Sequence, residues 1–124
     1  MSKLIYCAMP ARMKDKMTEI MDFVTAKGYG PLHPFQALPY ERFEGGPLGR
    51  QRTMDICCKL IDTCDEFWMF GVSQGTLIEV VHTQKSPNKP VELHFEFDPQ
   101  WREFYAKLGG QFGNPLDRYP GVLR

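Results

Sequence analysis

The stretch Asp65-Glu66-Phe67-Trp68-Met69-Phe70-Gly71-Val72-Ser73-Gln74-Gly75-Thr76-Leu77-Ile78-Glu79 decides how the chain is read. A continuous apolar run, Phe67 to Val72, meets a Ser/Gly turn and then residues at helical spacing. That succession predicts a buried strand, a tight turn and the first turn of a helix running to about Gln84. Such a turn aims backbone N–H groups at an anion, and Glu79 falls about one helical turn inside, near the same place. Thr76-Leu77-Ile78-Glu79 also fits a capping box, in which a hydroxyl and a carboxylate satisfy the helix's own first amides. The spacing leaves two roles for Glu79: a helix cap, or a carboxylate beside a phosphate-sized cradle. Ser73 and Gly75 are equally divided, because turns favour both residue types.

Working outward, Lys3 to Met9 is a second continuous apolar run, ended by Pro10, and suits a strand covered on both faces. Met17, Ile20, Met21 and Val24 give helical spacing to Met13–Lys27, with Gly28 as the stop. A short strand is expected near Tyr29–His33. Pro34 to Arg50 reads as a loop of about seventeen residues whose aromatics, Phe35, Tyr40 and Phe43, either wall a ligand pocket or cover the sheet edge. A helix from Gln51 to Thr63, a strand Val91–Phe97 and a helix Pro99–Leu108 follow, then a Gly/Pro-punctuated tail to Arg124. The order β-α-β-loop-α-β-α-β-α predicts a small three-layer open α/β sheet, mostly parallel and Rossmann/flavodoxin-like, with helices on both faces. Ligands of such sheets bind outside the carboxyl ends of the strands, where the strand order switches. Tyr6 to Arg12, the long loop and Ser73 to Glu79 all lie at those ends.

At 124 residues the chain is expected to be a single domain spanning 1–124, and its 43% hydrophobic and 24% charged content is that of an ordinary globular protein. Fifteen basic and fifteen acidic residues cancel, which removes any net-charge argument for a nucleic-acid polymer or an anionic membrane as partner. No apolar run reaches the roughly 18 residues of a membrane span, and Met1-Ser2-Lys3-Leu4 runs straight into a strand pattern, so a cytoplasmic protein is expected. The cysteines at 7, 57, 58 and 64 form no C-x-x-C pair and predict reduced, mostly buried thiols rather than a metal site or disulfides.

Leu4-Ile5-Tyr6-Cys7-Ala8-Met9, Asp55, Cys64-Asp65 ahead of a hydrophobic strand, Ser73-x-Gly75-x-x-x-Glu79 and Lys89-Pro90-Val91 together resemble the nucleoside 2-deoxyribosyltransferase superfamily. Within it they are most similar to the 2′-deoxynucleoside 5′-monophosphate N-glycosidases. The resemblance covers about residues 3 to 95 and implies Glu79 as the nucleophile on the anomeric carbon, with Asp55 as the second active-site carboxylate. Tyr6, Ala8, Met9, Arg12, Ser73, Gly75 and Thr76 are implied in substrate binding. Serine at position 73, rather than aspartate, implies a 5′-monophosphate, which a carboxylate there would repel. The chain departs from the resemblance at Ala8-Met9-Pro10-Ala11-Arg12, where those hydrolases are Gly/Ser-rich; Arg12 is the residue left to meet the phosphate. The spacing from Asp55 to Asp65 is also two residues long, which keeps Asp62 as the alternative second carboxylate.

The chemistry implied is glycoside cleavage: attack by an ionised Glu79 through an oxocarbenium-like transition state, departure of the base, and resolution of the glycosyl-enzyme by water. It calls for no metal and no cofactor. A homodimer or higher oligomer is implied, with the tail from about 110 to 124 (Phe112, Tyr119, Arg124) at a subunit interface. The alternatives are transfer between free nucleosides and a nucleotide-binding module that senses without turnover. His33, His82 and His94 are expected to be packing or surface histidines, and Trp68 and Trp101 to belong to the core or an interface.

Overall fold

The structure is a computed structural model in which residues 2–37, 49–85 and 89–111 are described. Its four strands are β1 (Leu4–Ala8), β2 (Gly30–Leu32), β3 (Glu66–Met69) and β4 (Val91–Leu93). The helices are α1 (Met17–Ala26, preceded by a 3-10 stretch Ala11–Lys16), α2 (Pro34–Ala37), α3 (Gly49–Thr63), α4 (Gln74–Thr83) and α5 (Pro99–Gln111). The sheet order is β2-β1-β3-β4 and every pairing among these strands is parallel. This is a flavodoxin- or Rossmann-like α/β fold. Tyr6 stands beside Leu32 on one side and Phe67 on the other, so the two central strands are in register through their most apolar residues.

The alternation of side chains along β1 and β3 builds two cores. Tyr6, Ala8, Phe67 and Met69 face Ile61 of α3, Val80 of α4 and Trp101 of α5. Ile5, Cys7, Met9, Trp68 and Phe70 face Ile20 and Val24 of α1. Both tryptophans are fully buried in these layers, so their apolar area stabilises the core. The Tyr6 and Phe67 rings stack with centroids 5.5 Å apart, a same-face pair on neighbouring strands. The three-layer, two-faced arrangement expected from the sequence is therefore present.

Element boundaries differ from the pattern-based expectation where a pairing partner runs out. β3 stops at Met69 because β1 stops at Ala8; Phe70 N–H makes the last bond, to Ala8 O at 2.8 Å. β4 is an edge strand with only β3 to pair with, so it ends at Leu93 rather than Phe97, after His94 N–H reaches Met69 O at 3.0 Å. The segment read as loop contains α2, and α3 begins at Gly49, ahead of Gln51. Gly28 ends the α1 region at φ +91°, where a side chain would be strained.

Candidate functional site

Order β2-β1-β3-β4 puts the switch point between β1 and β3: the chain leaves β1 toward one edge and β3 toward the other. The two strand exits there are bound together by a residue the sequence reading did not single out, Asp98. Its carboxylate accepts both Arg12 Nη1 (to Oδ1, 3.0 Å) and Arg12 Nη2 (to Oδ2, 2.9 Å), and also Val72 N–H at 3.1 Å. Arg12 Nη2 donates to Val72 O at 2.6 Å as well. Asp98 also starts α5, accepting Gln100 N–H at 3.1 Å on Oδ1. Burial would raise the Asp98 carboxyl, but the Arg12 and Val72 hydrogen bonds outweigh it and hold the group below the usual aspartate range. The exits are close enough that Gly71 has no room for a side chain: an added Cβ would collide with Met13 Sδ and lie 2.6 Å from Pro10 Cδ.

The turn that follows is a helix N-terminus capped by Ser73. Ser73 Oγ accepts Thr76 N–H at 3.1 Å, and Thr76 Oγ1 accepts Ser73 N–H at 2.8 Å, a reciprocal box between these two residues. This corrects the Thr76–Glu79 box allowed by the spacing. With α4 starting at Gln74, Thr76 is its third residue and Glu79 its sixth, beyond the first-turn amides that a cap serves.

Glu79 is instead buried, 6% exposed, and turned toward the sheet. Tyr6 Oη donates to Glu79 Oε2 at 2.5 Å, the short range of a hydroxyl bonded to a carboxylate. Burial first, then the Glu79 charge and the Cys57 thiol of α3, push the Tyr6 phenol well above its ordinary value. It therefore stays a proton donor throughout the physiological range. The Tyr6–Glu79 bond ties β1 to α4 across 73 positions of sequence.

The remaining expected residues take different positions. Asp55 is exposed on α3 and accepts a bond from Gln51 Nε2 at 3.0 Å. Asp62, its alternative, is exposed and paired with His82 Nε2 at 2.7 Å. Glu79, Asp62 and Asp55 all act on the Cys58 thiol between them, raising it further after burial has done so. Ala8 and Met9 are buried with their side chains in the two cores, which leaves only their backbone to a ligand. Gly75 is half-buried and Thr76 buried. Arg12 keeps 37% of its side chain exposed, but its charge is matched by Asp98. Tyr40, Phe43 and the tail residues Phe112, Tyr119 and Arg124 lie outside the described residues. All four cysteines are free thiols, and burial raises Cys7 to about 12 and Cys64 to about 11.

No known protein family, curated protein or solved structure matches the chain. Among the described residues no helix is long and apolar enough to cross a membrane.

Proposed function

We propose that the protein cleaves the N-glycosidic bond of a (deoxy)nucleoside 5′-monophosphate, with Glu79 as nucleophile, releasing free base and a sugar 5-phosphate. The observation that carries this reading is the Tyr6–Glu79 pair: a buried carboxylate, not spent on its helix end, held by a phenol at the carboxyl-terminal half of β1. A carboxylate buried with only one such donor is costly in stability, which favours a role in chemistry.

In the proposed reaction the Glu79 carboxylate attacks C1′ as the C1′–N bond breaks and its electron pair leaves with the base. A proton reaches the departing base from Asp55 or an ordered water. Water then attacks C1′, the ester to Glu79 breaks, and the carboxylate is regenerated. Tyr6 acts as a positioning residue that fixes the carboxylate's orientation. The Ser73 cap and the amides of Gln74 and Gly75 supply the positive end of α4 to the 5′-phosphate. A homodimer and a cytoplasmic setting belong to the same reading.

One observation favours the alternative of a free nucleoside as substrate for hydrolysis or transfer. The Arg12 guanidinium is already paired with Asp98, so the turn after β1 offers a phosphate no net charge. Incubation with matched panels of deoxynucleosides and their 5′-monophosphates, scored for released base, separates the substrates. Adding a second base detects transfer. Glu79→Gln should lower turnover by about 10³-fold or more with the fold retained. Absence of base release from every compound, with nucleotide binding preserved, would replace the enzyme by a sensing module.

A further inference from the structure

On the outer side of the helical layer, α3 and α4 leave an open groove of about 350 Å³ between them. Cys58 of α3 and Leu77, Ile78 and Val81 of α4 line it, with Lys85 at one end. Ile78 is 43% exposed and is the large hydrophobic side chain left in solvent among the described residues. A single exposed isoleucine is ordinary. An isoleucine standing in an apolar groove with opposite charges at its two ends is not.

The helix spacings place those charges. Asp55, Cys58 and Asp62 recur at i, i+3 and i+7 on one stripe of α3, and Ile78, Val81 and Lys85 at i, i+3 and i+7 along α4. Both helices return between parallel strands and so run the same way. The Asp62–His82 bond at 2.7 Å sets their alignment. From that level Asp55 lies about 10 Å toward the helix starts and Lys85 about 5 Å toward their ends, at roughly 1.5 Å per residue. The exposed carboxylate and the exposed ammonium thus stand about 15 Å apart along the groove, with Ile78 and Val81 near the midpoint. The Cys58 thiol responds to both, in opposite senses.

We propose that this groove is the interface with a second copy of the chain, packed antiparallel about a two-fold axis passing between Ile78 and Val81. Each Ile78 then enters the other copy's groove, and each Lys85 faces the other copy's Asp55. A two-fold interface needs a patch complementary to itself. An apolar strip with an acid at one end and a base at the other satisfies that requirement, whereas a partner of one charge sign would meet like charge at one end. The assignment stands on the groove and its charges and does not depend on the chemistry proposed for Glu79.

Sedimentation equilibrium of the full chain between 1 and 100 µM (about the range in which modest interfaces dissociate) tests it. The wild type should be a dimer. Ile78→Glu should raise the dissociation constant by about 100-fold or more by burying an unpaired charge at the centre. Lys85→Glu should raise it about tenfold, and Asp55→Lys added to Lys85→Glu should bring it back. Circular dichroism identifies any variant that fails to fold; should Ile78→Glu be one, the charge-reversal pair decides. A wild type that stays monomeric overturns the proposal. So does a dimer indifferent to these substitutions, whether the groove is then covered by the chain's own C-terminal residues or by another protein. Because the readout is mass, a failed dimer and a failed enzyme are told apart.

Discussion

Acid should destabilise this protein well before its carboxylates protonate, and the cause should be one histidine. His33 follows β2 and is 2% exposed. Its Nδ1 accepts Phe35 N–H at 3.1 Å, which fixes the neutral ring with its proton on Nε2. Nε2 is itself buried without a partner. Burial lowers the folded-state value from 6.5 to about 4. The unfolded chain therefore binds the proton first as pH falls, and stability drops with falling pH between those two values. The linkage relation gives a loss of about 2 kcal/mol by pH 5 and about 3 kcal/mol by pH 4, relative to pH 7.5. Asp98 and Glu66, both held below ordinary carboxylate values in the folded state, add their losses only below about pH 4. Urea unfolding at half-unit steps from pH 7.5 to 4.5 measures the effect, with His33→Gln as the control that removes the titrating ring. The wild-type advantage should shrink as pH falls while the variant's own curve stays comparatively flat. Parallel curves for the two proteins between pH 7 and pH 5 would refute the argument.

Other perturbations address the strand exits and the site. Gly71→Ala should cost about 1–3 kcal/mol in urea unfolding, since the new methyl meets Met13 and the Pro10 ring and presses on Asp98 Oδ2 at 3.0 Å. Asp98→Ala removes the Arg12 fork, the Val72 bond and the start of α5 together, for about 2–4 kcal/mol; this is less than for a fully buried ion pair because Arg12 can turn to water. A loss under 0.5 kcal/mol (about the effect of a surface change) would mean the exits hold without it. Tyr6→Phe keeps the ring stacked on Phe67 but leaves Glu79 without its phenol donor. If the proposed reaction is correct, kcat should fall about tenfold or more with KM little changed; unaltered kcat would remove Tyr6 from the mechanism. In the same assay the fate of Glu79→Gln separates an enzyme from a binding module.

The parts of the fold visible in the sequence are those governed by local pattern. β1 and β3 announce themselves as unbroken apolar runs because each is covered on both faces. α1 and α3 show their stripes, and Gly28 marks a stop that needs positive φ. Strand ends were less legible, because they depend on where the neighbouring strand runs out: His94 to Phe97 continues an apolar alternation, yet β3 offers no partner beyond Met69. α2 was missed because Pro34-Phe35-Gln36-Ala37 is a single turn, too short for any period to be seen.

The site was legible in its residues and not in its bonds. Ser73, Thr76 and Glu79 are three apart in series, so two overlapping capping boxes compete on spacing alone. The competition is decided by where α4 begins, and that depends on the exit from β3. Gly71 lets the exit press against Pro10 and Met13, and Asp98 takes the Val72 amide, leaving Ser73 extended as the cap. Glu79 is thereby displaced from the helix start to a position where only a residue of β1 can satisfy it, and Tyr6 does so. Asp98 itself gave one local sign, an Asp-Pro at a helix start, which points to a cap and says nothing about Arg12, 86 residues away. The same bond that fixes the turn cancels the charge of the residue expected to meet a phosphate. Recognition of any 5′-phosphate would then fall to the start of α4, whose strength is the fractional charge of a helix end rather than a full cation.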